Sequence, residues 1–177
     1  MPSLPCQTIL LPVHQALANG TANQKGASLE AAMRLILEPI PGIWRIDLNT
    51  TDVFDAEEVD LGVGNLQAPD GVPFLPDVFL VECKNWSKPV GALEVTSFIA
   101  KLEERAMTFG LLVAANGITG DPNQRTSANE RIAAALKEGR RIIVVRLTDL
   151  EAVTTTEAFV NLLRVRIMDL TLKRGVF

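Results

Sequence analysis

Val78-Phe79-Leu80-Val81-Glu82-Cys83-Lys84 is the stretch whose reading decides this chain's fold. Its first four residues are apolar on successive positions, the pattern of a strand buried on both faces, and it turns polar only at Glu82. Side chains alternate across a strand, so Glu82 and Lys84 project from one face and Cys83 from the other. A central strand is therefore expected to end with a carboxylate beside an ammonium. Glu82 is the one acidic residue followed two positions later by lysine.

Working backwards, Asn65–Pro76 is rich in Gly, Pro and Asp and reads as a long loop. Ile43–Leu48 and Val59–Val63 read as strands of a hairpin with an elaborated turn over Asn49–Glu57. Asn23–Leu37 has helical spacing in Leu29, Met33, Ile36 and Leu37, and Pro39-Ile40-Pro41-Gly42 stops it. Pro2–Gly20 reads ambiguously.

Working forwards, Gly91–Thr108 is an amphipathic helix with Leu93, Val95, Phe98, Ile99, Leu102 and Met107 on its apolar face and Glu, Lys or Arg opposite. Leu111–Ala115 reads as a strand, Asn116–Gly120 as a loop, Ser127–Lys137 as a helix, Ile142–Leu147 as a buried strand and Thr156–Lys173 as a helix. Alternating strands and helices imply parallel crossovers, whereas the earlier hairpin is antiparallel. The expected fold is α/β: a mixed central sheet with helices on both faces. The length suits one domain over residues 1–177, with a core of about 22–150 and a C-terminal helical extension over 151–177.

Hard cations need several oxygen ligands around one point, so the Glu82–Lys84 pair gains meaning if a second carboxylate arrives from a neighbouring strand. Asp60, between Val59 and Leu61, can provide it. Asp77 lies an odd number of positions before Glu82, hence on the opposite face and too far along the strand to share an ion. It reads as a strand-entry residue. A register change would bring Asp55, Glu57 or Glu58 into the role of Asp60, and Glu58 has the same strand parity.

Composition narrows the chemistry. One histidine, His14, cannot build a multi-imidazole zinc site, and Cys6 and Cys83 form neither a CxxC pair nor a disulfide framework. Both cysteines read as reduced thiols, and any metal chemistry rests on oxygen. A net charge of −4 argues against coating nucleic acid through a uniform positive field, but carboxylates at a cation site account for part of it. No apolar run is long enough to span a bilayer and no signal peptide is evident, so a cytoplasmic protein is expected.

Val81-Glu82-Cys83-Lys84-Asn85-Trp86, then Pro89-Val90-Gly91 and a helix with Phe98 and Leu102, resembles the Mrr-type restriction-endonuclease branch of the PD-(D/E)xK superfamily. Leu111–Gly120, reading LLVAANGITG, extends the resemblance, which covers roughly Gly26–Leu150. It implies a restriction-endonuclease-like fold and metal-dependent hydrolysis of DNA phosphodiester bonds, in defence or DNA processing. Asp60 and Glu82 would bind Mg²⁺, with Mn²⁺ substituting and the Cys83 carbonyl completing the ligand set. Lys84 would orient or help deprotonate the attacking water, and Glu30 would support the site.

The expected partner is nucleic acid, with a homodimer and a regulatory or targeting protein as further candidates. Two other functions stay open: an RNA-directed or partner-activated nuclease, and a catalytically inactive nucleic-acid-binding or assembly module. Blander readings stand beside the site residues. Glu82–Lys84 alone is most often a surface ion pair, Glu30 a solvated helix residue, and Trp86 a packing residue. Asn116 and Thr119 read mainly as turn residues and His14 as structural. Lys88, Arg105, Arg125, Arg140, Arg141, Lys173 and Arg174 are candidate phosphate contacts with no order among them.

Overall fold

The computed structural model describes residues 2–51, 58–120 and 127–173. Asp55, Glu57, Arg125 and Arg174, named above, lie outside the described residues.

Thr21 opens the helix expected near Asn23. Its hydroxyl accepts from the Gln24 amide at 3.3 Å, and the Gln24 side chain accepts from the Thr21 amide at 2.9 Å. These reciprocal bonds satisfy amides that have no partner within the helix. The helix, α2, spans Ala22–Leu37, preceded by α1 over Cys6–Asn19. That first helix carries Pro12 in its interior. A proline supplies no amide to the helical ladder, which is why the segment reads ambiguously by sequence.

The strands are β1 (Ile43–Thr51), β2 (Glu58–Asn65), β3 (Val78–Lys84), β4 (Phe109–Ala114) and β5 (Arg141–Val145). They form one sheet in the order β1-β2-β3-β4-β5, antiparallel from β1 to β3 and parallel from β3 to β5. This is the expected mixed sheet. Helix α3 (Ala92–Glu104) joins β3 to β4, and α4 (Ala128–Lys137), capped by the Ser127 hydroxyl, joins β4 to β5. A short α5 (Leu147–Glu151), not anticipated from the sequence, precedes α6 (Thr156–Lys173).

All six residues of β4 are buried, so the sheet interior is continuous with the helices packed on it. One apolar core runs through the described chain from Leu4 to Leu170. Gly110 sets how closely α3 approaches the sheet: a Cβ there would lie 2.6 Å from the Phe98 ring and 3.0 Å from Leu102. Glycine therefore lets α3 settle directly on β4 beside Leu80 of β3.

The loop after β2 is anchored by Asn65, which is 3% exposed. Its Nδ2 donates to the carbonyls of Val72, Leu75 and Pro76, while its Oδ1 accepts from the Gln67 amide. These bonds tie the carbonyls of the loop to the end of β2 and fix the entry into β3. Asp77, at that entry, is exposed, at the opposite end of the strand from Lys84.

Candidate active site

The β2–β3 ladder pairs Gly64 with Val78 through to Leu61 with Val81. Beyond that pair, the Asp60 carboxylate accepts the Cys83 amide at 2.7 Å. A side chain thus takes a bond that a neighbouring strand's carbonyl would otherwise supply. The two strand ends are stitched together by an acid at the mouth of a cleft of about 440 Å³. Glu30, Asn49, Glu58, Asp60, Cys83 and Lys84 are among the residues lining it.

Glu82 lies behind this lining, only 5% exposed. Its Oε1 accepts from Lys84 Nζ at 2.6 Å and from Lys101 Nζ at 3.2 Å, and its Oε2 accepts from Lys101 Nζ at 3.0 Å. The pair read as Glu82–Lys84 is therefore part of a triad in which the carboxylate is buried and both lysines are partly so. Lys101, from α3, belongs to it, although the helical pattern assigned the lysines of that helix to the face opposite the core. The signal was faint: Lys101 is adjacent to Leu102 and three residues after Phe98, at the margin of the apolar stripe.

The electrostatics follow from this packing. Burial first, then the Glu82 charge, push the Asp60 carboxyl from its ordinary 3.8 up to about 6, against the Cys83 amide and the two lysines. Burial opposes the Lys84 ammonium, yet the Glu82 charge and hydrogen bond outweigh it and leave Lys84 above its ordinary value. Glu30 is raised by burial and by the Glu58 charge, partly offset by a hydrogen bond from Asn49. Burial foremost raises the Cys83 thiol too, so it is no thiolate.

The structure thus brings Asp60, Glu82, Cys83 and Lys84 to one strand end, with Glu30 facing them across the cleft. Glu58 lines the same cleft but is exposed. Among the described residues no three His, Cys, Asp or Glu side chains converge on one point. Two close carboxylates with mutual repulsion nonetheless fit a hard cation. They match an ion of the Mg²⁺ type, which takes one or two carboxylates and completes its shell with water and phosphate oxygens.

Trp86 packs against the core edge, its carbonyl accepting from Asn116 Nδ2, and Lys88 lies 5.8 Å over its ring. The Thr119 amide is spent on the Val90 carbonyl and the Gly117 amide on Ala114. His14 pairs with Glu151 at 3.1 Å, away from the cleft. Arg140 pairs with Glu103 and Glu138, Arg141 lines a separate cavity near Phe109, and Lys173 pairs with Asp169.

A family model described as a restriction endonuclease, Mrr_cat, matches residues 50–153, from the end of β1 to just beyond α5. The chain belongs to this PD-(D/E)xK nuclease family, whose fold the five-stranded mixed sheet reproduces. The match spans the cleft residues of β2 and β3 as well as Lys101. A search of curated proteins finds no match. Among the described residues no helix is long and apolar enough to cross a membrane.

Proposed function

We propose that this chain is a metal-dependent endonuclease that hydrolyses DNA phosphodiester bonds, with Asp60, Glu82 and Lys84 as its catalytic core. The observation that carries the reading is the meeting of two carboxylates and an ammonium at one open strand end, in a chain of restriction-endonuclease family. Asp60 and Glu82 would hold Mg²⁺ or Mn²⁺, with the Cys83 carbonyl as a third oxygen. Such an ion, when bound, offsets charge on phosphoryl oxygens and activates water.

The residues themselves do the following. Asp60 presents its carboxylate at the cleft, with its orientation fixed by the Cys83 amide, and Glu82 offers a second carboxylate from just behind the cleft lining. Lys84, bonded to Glu82 as an ammonium with three donors and no acceptor, orients the attacking water and stabilises developing negative charge. In that state it does not take a proton from the water. Glu30 supports the site from α2 by accepting a hydrogen bond from Asn49 across the cleft.

The test is cleavage of supercoiled plasmid, linear duplex, single-stranded DNA and RNA with Mg²⁺ or Mn²⁺, comparing the natural chain with a folded Lys84→Ala variant. Metal-dependent DNA cleavage lost in the variant supports the proposal. Equal activity in both removes Lys84 from the catalytic core. RNA cleavage without DNA cleavage overturns the substrate, and metal-independent binding without turnover marks a binding module. Direct linearisation of plasmid, without a nicked intermediate, would indicate two cooperating copies.

A further inference from the structure

Lys101 places its ammonium against both oxygens of Glu82, and its side chain is only 13% exposed. A carboxylate has about four lone-pair sites, two on each oxygen. On Glu82, Lys84 and Lys101 take both sites of Oε1, and Lys101 takes one site of Oε2. One site remains, on Oε2.

We infer that Lys101 is a positioning residue that limits Glu82 to a single coordinating oxygen, Oε2, and so biases the site toward a small octahedral cation over a larger one. The inference rests on the proposed reading of Asp60 and Glu82 as cation ligands. Its chemistry is the difference in how hard cations take carboxylates. Mg²⁺ demands near-octahedral geometry with short bonds, which single oxygens satisfy. Ca²⁺ takes six to eight oxygens and accepts both oxygens of one carboxylate. Two-oxygen binding at Glu82 requires that Lys101 leave.

The placement is set by packing. Gly110 brings α3 onto β4 through Phe98 and Leu102, and the Lys101 stem runs from the edge of that contact to the end of β3. Lys84 alone, from the same strand as Glu82, contacts only Oε1. Among the described residues, the second oxygen is held from α3.

The experiment is calorimetric binding of Mg²⁺ and of Ca²⁺ to the protein without nucleic acid, for the natural chain, Lys101→Met and Lys101→Arg. Removing the lysine charge favours both divalent ions alike, so the ratio of their affinities isolates the number of available oxygens. In Lys101→Met the ratio should move about tenfold toward Ca²⁺, as two-oxygen binding becomes available. Lys101→Arg keeps a cationic fork on the carboxylate and should hold the ratio near that of the natural chain.

An unchanged ratio in folded Lys101→Met would overturn the inference, even if its melting temperature falls, since a merely structural lysine would alter stability and not selectivity. If Lys101→Met does not fold, Lys101→Gln removes the charge with retained polarity and is read by the same ratio. Binding of neither ion to the natural chain would overturn the cation-site reading itself, a result distinct from binding with an unmoved ratio.

Discussion

Asp60 and Asp149 are both drawn out of water by this fold, yet their carboxyls move in opposite directions. Asp60 sits near a second carboxylate, Glu82, and burial together with that like charge raises it to about 6. Asp149 is also penalised by burial, but the Arg146 amide and guanidinium and the Arg166 charge outweigh it and hold the carboxyl below its ordinary value. Arg166 lies 2.8 Å from one Asp149 oxygen and Arg146 3.3 Å from the other.

The difference separates a site kept under electrostatic strain from a joint that has relieved it. The Asp149 cluster ties α5 to α6 with cations matched to its acid. At the end of β3 the two lysines bond Glu82, and Asp60 is buried beside that acid, so charging Asp60 costs stability. The first cluster should matter to activity and the second to stability.

The largest expected effect is on turnover. Asp60→Asn should reduce metal-dependent cleavage by roughly a thousandfold while the chain stays folded, checked by plasmid cleavage alongside circular dichroism. Retained cleavage would erase the distinction and point to Glu58 as the working acid on β2.

Next in size, Asp149→Asn should cost about 2–4 kcal/mol by removing the carboxylate from a largely buried ion pair, measured by urea denaturation, with cleavage per folded molecule unchanged. A loss of activity without loss of stability would mean that this cluster also serves the site.

The two acids should then respond to pH with opposite signs. The depressed Asp149 carboxyl stabilises the fold above the ordinary carboxylate range and ceases to do so as pH falls through its lowered value. The stability gap between the natural chain and Asp149→Asn should therefore close below about pH 4. Asp60 behaves inversely. Its raised value leaves no penalty below the ordinary 3.8, and the penalty grows between there and about 6 and persists above.

The smallest effect follows from that sign. In chelator-treated protein at neutral pH, Asp60→Asn should raise stability by about 1–3 kcal/mol, seen as a melting temperature higher by several degrees. At pH 4 the gain should shrink. A lower melting temperature for Asp60→Asn at neutral pH would show that its bond to the Cys83 amide outweighs the repulsion from Glu82.

Much of this was legible in the chain. The bounds of β3 and α6 match the expected Val78–Lys84 and Thr156–Lys173, and the others shift by a few residues where strand ends and caps are set by hydrogen bonding. The segment that resisted reading, Cys6–Asn19, is a helix with an internal proline, tolerated because Leu10 and Val13 are fully buried. Its stability comes from packing more than from helix propensity.

The sequence by itself determined the Glu82–Lys84 pair, because strand alternation is local and puts alternate residues on one face whatever surrounds them. It also marked Asp60 as a partner, since the hairpin before β3 left few ways to bring a second acid to that strand end. Only the tertiary structure decided that Asp60 would bond the Cys83 amide and that Lys101 would cover both oxygens of Glu82. Those contacts depend on how far β2 departs from β3 and how closely α3 settles over Gly110, distances that arise from packing and not from any periodicity in the chain.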